Sequence, residues 1–180
     1  TGFSVGQCTR VVRRLMAQDP VLRRLASRCG PAAVAWPRCV DPHADRDRGL
    51  TGVGGPAMQG GARALFVPHV QPQHAQVLVV APRVYTQEQV RTALRHEMMH
   101  AYDYYVMGAD FQHCGQLACS EIRAAMAGEC HHLRWEKRRR KCIQETATAA
   151  TATYCEEAGD LVRLLMDVCT KLEDPDLLQD

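Results

Sequence analysis

Two histidines and a glutamate within one helical turn constrain this chain more than any other feature of its sequence. Residues 86–108, TQEQVRTALRHEMMHAYDYYVMG, carry His96, Glu97 and His100 in an H-E-x-x-H pattern. At 3.6 residues per turn, side chains four positions apart leave a helix on one face, so both imidazoles can reach a single ion with Glu97 beside it. Zn2+ suits such donors, since it accepts neutral imidazole nitrogens at ~2.0–2.1 Å and, with a position left open, lowers the pKa of a bound water to about 7. Glu97 would take that water's proton. The stretch reads as one helix because Thr86 with Gln89 forms a capping-box start, Gly108 supplies a stop, and no proline intervenes. Val90, Ala93, Leu94, Ala101 and Val106 provide apolar positions for docking it, and Met98 and Met99 read as core filler.

Two histidines do not hold a catalytic zinc, so a third protein ligand is needed, with the fourth place left for water. Glu121, on the next predicted helix and twenty residues after His100, has the separation expected of a His2Glu set. Asp103 also falls on the metal face, three residues after His100, but its short side chain would have to reach back along its own helix. It is expected instead to accept an N–H from a ligand imidazole and fix that ring's orientation. His113 does not fit the histidine spacing of the metzincin pattern. Donors to a developing oxyanion are sought among Tyr102, Tyr104, Tyr105, His131 and His132. The chemistry that follows is peptide hydrolysis by a metal-activated water, with Glu97 as general base and then general acid.

Nine cysteines in 180 residues (Cys8, Cys29, Cys39, Cys114, Cys119, Cys130, Cys142, Cys155 and Cys169) exceed what a reducing cytosol usually holds without metal, and no C-x-x-C pair offers a zinc ribbon. They imply an oxidising compartment, up to four disulfides and one cysteine left over, with connectivity open. The spacings of eleven to fourteen residues from Cys119 to Cys169 suit stapled helix hairpins. A net charge of +2 argues against nucleic acid as a partner. The basic run WEKRRRK, with Arg134 just before it, reads as a solvated helix face or as a surface for anionic phospholipid or an acidic partner. No apolar run approaches the eighteen or so residues needed to span a bilayer, so the chain is expected to be soluble or peripheral. It opens on Thr1 with no secretory apolar stretch, which places any targeting segment outside it.

The fold expected is α+β and zincin-like, one domain over residues 1–180. Residues 7–17 form a helix with Val11, Val12, Leu15 and Met16 on one face, and Asp19-Pro20 opens a second helix that Gly30 ends. A first strand is placed at 32–36, before Pro37, and a loop at 41–61. Residues 64–68 and 76–82 read as neighbouring strands, with His69 and His74 as solvent-facing loop residues between them. After the metal helix, a helix from about Leu117 is interrupted only by Gly128. The Ala/Thr-rich stretch 143–155 is helical between Cys142 and Cys155. A last amphipathic helix, 157–172, turns Leu161, Leu164, Leu165 and Val168 inward and ends at Asp174-Pro175.

RHEMMHAYD followed by LACSEIRAAMAGEC resembles one family in particular, the zinc metalloproteases of the mitochondrial intermembrane space that process and help assemble ATP synthase. H-E-x-x-H alone is widespread, whereas its combination with C-S-E-I-R-A and a trailing G-E-C is restrictive. The resemblance extends more weakly from Cys8 to about Cys169. It implies a protease peripheral to the inner membrane, bearing several disulfides, that removes the presequence of a membrane subunit of ATP synthase and also acts as an assembly factor without proteolysis. It makes His96 and His100 zinc ligands and Glu97 catalytic, and Glu121 falls inside the second motif. The sequence departs from the family in lacking a cysteine soon after Cys39 and another within 77–81, in having Gln116 for a usual histidine, and in replacing an arginine-rich patch with residues 143–148. The contrasting expectation is a non-catalytic subunit or assembly factor of a respiratory-chain or ATP-synthase complex that keeps the protease fold.

Overall fold

One carboxylate, Asp19, sets the course of the N-terminal segment in the computed structural model, which describes residues 2–30, 35–42, 61–68, 76–171 and 176–179. Helix α1 (Val5–Gln18) starts at a capping box in which the Ser4 hydroxyl accepts the Gln7 N–H and the Gln7 side chain accepts the Ser4 N–H. Asp19 ends α1 and opens α2 (Pro20–Cys29) by accepting the Leu22 N–H, with Pro20 at the first helical position where its missing N–H costs nothing. Gly30, at φ +76°, closes α2 in backbone that favours glycine. Val12, Leu15 and Met16 are buried as their spacing predicts, joined by Val21, Leu22 and Leu25.

A three-stranded sheet follows, in the order β1-β3-β2. β1 (Ala35–Val40) runs parallel to β3 (Gln76–Val80), and β2 (Ala64–Val67) pairs antiparallel with β3 and forms an edge. The first strand lies later than the expected 32–36 and passes through Pro37. The ladder absorbs that residue, which has no N–H to give, by a register shift between Ala35 and Arg38. Val77, Leu78, Val79 and Val80 are all fully buried, the mark of a central strand covered on both faces. The expected loop at 41–61 lies almost wholly outside the described residues, as do His69, His74 and the Asp174-Pro175 stop.

Helix α3 (Gln87–Tyr105) carries the H-E-x-x-H motif across this sheet. Thr86 caps it by accepting the Gln89 N–H, but the reciprocal bond differs from a strict capping box, because Gln89 Oε1 accepts from Tyr85. Val90, Ala93, Leu94, Met98, Met99 and Ala101 are buried, whereas Val106 lies past the last turn and is exposed. Arg95 donates from Nε and Nη2 to Asp19, so the residue beside the first motif histidine is pinned to the N-terminal helices through a buried ion pair.

The C-terminal half is helical: α4 (Cys114–Ala127), α5 (Glu136–Thr151) and α6 (Ala158–Cys169). α4 begins three residues before the expected start, with His113 as its N-cap, and the break after it is a turn over residues 128–135 rather than Gly128 alone. Its many alanines let it sit between two cores, with Ala124 and Ala127 against α3 and Ala118, Ile122, Ala125 and Met126 against α5 and α6. α6 buries a different stripe from the one expected. Val162, Met166 and Cys169 point inward, Leu161 and Leu165 are half-buried, and Leu164 and Val168 are exposed. Cys169 sets this rotation, because its disulfide to Cys119 turns that side of α6 to α4. No described helix is long and apolar enough to cross a membrane.

Four disulfides form: Cys8–Cys39 ties α1 to β1, and Cys114–Cys155, Cys119–Cys169 and Cys130–Cys142 bind the C-terminal helices together. In the chain-entropy picture, loops of 12 to 50 residues make such links worth about 3–4 kcal/mol each. Cys29 is the remaining thiol, and burial together with the nearby Asp103 charge pushes it up to about 12. Iodoacetamide followed by peptide mass mapping should therefore label nothing in the native protein and Cys29 alone in non-reducing denaturant. Labelling of any other cysteine before reduction would contradict this pairing.

Candidate metal centre

Helical periodicity brings the two histidines together and the docking of α4 supplies the third group. The Nε2 atoms of His96 and His100 lie 3.1 Å apart. Glu121 faces both, its Oε2 3.5 Å from His96 Nε2 and its Oε1 3.7 Å from His100 Nε2. It is 7% exposed, so it is a buried carboxylate and not a surface one. Among the described residues this is the only group of three or more His, Cys, Asp or Glu side chains spaced to hold a metal.

Three features fit a divalent cation. Glu121 Oε2 is buried and has no hydrogen-bond partner, a costly arrangement unless something positive completes it. Donors about 2.0–2.1 Å from a tetrahedral centre stand about 3.3 Å from one another, and the two Nε2 atoms at 3.1 Å and the His96 Nε2–Glu121 Oε2 pair at 3.5 Å are close to that spacing. His96 Nδ1 lies 2.9 Å from Glu129 Oε2, and a carboxylate can only accept, so the proton sits on Nδ1 when the ring is neutral and Nε2 presents its lone pair to the site.

The field at the site has the matching sign. Burial works against a charged His96, yet Glu129 and Glu121 hold this imidazole well above its usual value, so the position favours positive charge. A bound dication would replace that proton. Burial lowers His100 to about 4 against the pull of Glu121. For Glu121, burial is outweighed by His100 and His96, and the carboxyl falls below its usual range. Burial pushes Glu97 up to about 7 despite the opposing charge of His96, near where a group that both takes and returns a proton at neutral pH is most effective. Glu97 does not join the three donors. Its Oε2 accepts the Phe66 N–H at 2.6 Å, from the side of β2 that faces away from β3.

A cleft of about 730 Å³ opens beside the three donors, walled by Phe66, Phe111, Leu117 and Tyr154, and a smaller one of about 320 Å³ lies on the other side of His96 and Glu97, next to Arg63, Gln89 and Glu129. Phe111 packs edge-on against His100 at 5.7 Å between ring centroids and against Phe66 in the cleft wall, with Tyr104 packed behind it. None of Tyr102, Tyr104, Tyr105, His131 and His132, proposed from sequence as oxyanion donors, lines either cleft. His113 is exposed at the start of α4 and stays apart from the three donors.

Asp103 is not where its spacing suggested. It is completely buried, but both oxygens accept from Arg123 Nε, at 2.9 and 3.1 Å, and Ser120 stands between it and His100. The rings are held by Ser120 and Glu129, neither of which sequence spacing identified. Ser120 was legible only as the neighbour of Glu121, and Glu129 sits in the turn after α4, where no helical period applies. Gly128 permits that turn. A β-carbon there would meet Thr92 O at 2.9 Å and His96 Cβ at 3.1 Å.

Comparison with known proteins gives the family. The model of the Peptidase M76 family matches residues 59–175. The chain is 27% identical over 117 residues to the mitochondrial inner membrane protease ATP23 of Mycosarcoma maydis, covering 58% of this chain and 52% of that one. It is 37% identical over 62 residues to the protein of the same name in Schizosaccharomyces pombe, 34% of this chain and 32% of that one. The chain thus spans about half or less of the curated relatives it matches. No solved structure matches.

Because Gly128 lies against backbone that cannot yield, Gly128→Ala should cost about 1–3 kcal/mol of stability and weaken metal binding through His96 and Glu129. Thermal unfolding and zinc titration of this variant check both; a wild-type melting temperature would show that the two segments are not so closely packed.

Proposed function

Since the chain belongs to the Peptidase M76 family, we infer that it is a zinc-dependent endopeptidase with a zincin-like arrangement, in which one domain holds the metal through His96, His100 and Glu121. The observation that carries this reading is the meeting of two imidazole Nε2 atoms, 3.1 Å apart, with the buried Glu121 carboxylate, whose Oε2 is 3.5 Å from His96 Nε2 and whose Oε1 is 3.7 Å from His100 Nε2, beside a cleft. Zinc bound there supplies polarisation of a peptide carbonyl and acidification of a water.

The chain's own residues account for the rest. β2 is an edge strand beside the donors, and an extended peptide laid along it would add as a further strand, its backbone held by main-chain hydrogen bonds and its side chains entering the two clefts. Substrate binding would draw the Phe66 N–H away from Glu97. Glu97 then takes a proton from the attacking water and returns it to the departing amine. Phe111, Phe66 and Leu117 keep bulk water from the reacting carbonyl.

For location, we infer the intermembrane-space side of the mitochondrial inner membrane, as a peripheral protein. The relatives' names specify the inner membrane, and the four disulfides favour an oxidising compartment. The proposed substrate, resting on the family resemblance, is a membrane subunit of ATP synthase, with assistance to assembly as a second role. Contact with lipid would come from the start of α5. There Trp135 is 76% exposed, and Arg134, Lys137 and Arg138 have no ion-pair partner among the described residues.

Purified protein should bind one zinc per chain. Glu97→Gln should keep the metal while lowering peptide hydrolysis by at least about 100-fold, the usual contribution of a general base. A fully active Glu97→Gln protein would remove the hydrolytic mechanism. An inert wild type that co-purifies in fixed ratio with a respiratory or ATP-synthase complex would favour the non-catalytic subunit instead. Changing Arg134, Lys137 and Arg138 together to alanine should cut binding to anionic phospholipid vesicles on the order of 100-fold at low salt, at about 1 kcal/mol per charge. Unchanged co-sedimentation would place the lipid contact elsewhere.

A further inference from the structure

The two clefts beside the motif differ in chemistry. The smaller is lined by Arg63, Gln89, Thr92 and Glu129, with charges of both signs. In the larger, of about 730 Å³, the lining among the described residues carries no charge beyond the three donors and Glu97. That lining comes from three separate parts of the chain: Leu65 and Phe66 on β2, Phe111 and Leu117 just before and within α4, and Ala150 and Tyr154 around the end of α5. Ligand pockets usually enclose ~300–1,000 Å³, so a hollow of this size has room for a large side chain.

Tyr154 is the least protected part of that lining. It is 63% exposed although it borders an apolar hollow, yet the backbone around it is fixed. The Tyr154 and Cys155 N–H groups both donate to Thr151 O, at 3.0 and 2.9 Å, and Cys155 is bonded to Cys114 at the start of α4. Phe111 lies three residues before Cys114 and packs against His100 and Phe66. One disulfide therefore joins the segment that carries Tyr154 to the segment that carries Phe111. A tyrosine held in this way offers a broad ring with only two side-chain torsions to lose when an apolar group comes against it.

We propose that the larger cleft is a specificity pocket for a leucine- to phenylalanine-sized apolar side chain beside the scissile bond, with Tyr154 as its outer wall and Cys114–Cys155 as the clasp that keeps the wall in place. Resting on the endopeptidase reading above, it names the substrate class: extended segments with a large apolar residue next to the cut. The position next to the cut follows from the cleft sharing its lining with the three donors and Glu97. An apolar side chain entering there buries its own surface and that of the Tyr154 ring, whereas a charged one gives up water for walls that offer it no counter-charge.

Cleavage sites in a proteome-derived peptide mixture, mapped by mass spectrometry with the zinc-loaded chain, should be enriched in leucine, methionine and phenylalanine at one position next to the cut. Binding is read separately by fluorescence anisotropy on the Glu97→Gln protein, with labelled decapeptides of alanine and serine that carry one central phenylalanine, leucine, alanine or aspartate. The phenylalanine and leucine peptides should bind at least about 10-fold more tightly than the alanine peptide, and the aspartate peptide most weakly. Adding Tyr154→Ala should bring the phenylalanine-to-alanine ratio below about threefold, with zinc content and melting temperature unchanged. Adding Cys114→Ser and Cys155→Ser together should lower the same ratio. Residues that served only stability would shift the melting temperature and leave the ratio as it was. An absence of apolar preference, or a ratio that either change leaves intact, overturns the proposal. If the double serine variant does not fold, Tyr154→Ala decides alone. A wild type that cleaves nothing overturns the endopeptidase reading, and the binding ratios still decide the pocket.

Discussion

The register of α4 along α3 is the constraint on which the rest of the site depends. His96 and His100 share a face through helical periodicity alone. Glu121 meets them only if the next helix lies at one height and one rotation against α3. Three contacts select that register: Asp103 with Arg123 near the end of α3, His100 with Ser120 at the middle, and His96 with Glu129 beyond the end of α4. A slip of a single residue would break all three and turn Glu121 away.

Other elements hold that register against thermal motion. On the sheet side, the Arg95–Asp19 pair couples α3 to the junction of α1 and α2. On the far side, Cys119–Cys169 grips α4 one residue before Ser120, and Cys130–Cys142 fixes the turn one residue after Glu129. Covalent links thus flank both residues that orient the imidazoles. A helix rich in alanine has little side-chain bulk to define its own rotation, and crosslinks supply what knobs-into-holes packing would supply elsewhere. Oxidation of the cysteines and the bringing together of His96, His100 and Glu121 are in this way parts of one folding problem.

Much of this was legible in the sequence because it rests on local rules. The helix caps at Asp19 and Thr86, the stop at Gly30, the paired strands and the H-E-x-x-H face all follow from periodicity and the conformational habits of a few residues. Glu121 was singled out from ligand chemistry and chain separation, and it lies beside both imidazoles. What escaped was set by tertiary contact. β1 runs through Pro37 because β3 offers a ladder on which a register shift is tolerated. α6 turned Leu164 and Val168 outward because a disulfide at Cys169, and not leucine content, chose its inner face. Asp103 was assigned to a histidine directly, when a neighbouring helix had placed a serine between them. Glu129 lay in a turn, where periodicity says nothing.

The account stands on His96, His100 and Glu121 sharing one ion, and zinc K-edge X-ray absorption on the oxidised, zinc-loaded chain tests that most directly. The expected spectrum has imidazole multiple scattering from two histidines with Zn–N at about 2.0–2.1 Å, the remaining ligands oxygen, and no sulfur. Loss of one oxygen donor and weakened binding in Glu121→Ala would complete the match. A sulfur shell at about 2.3 Å, or a spectrum without imidazole scattering, would place the metal on other residues and contradict the account.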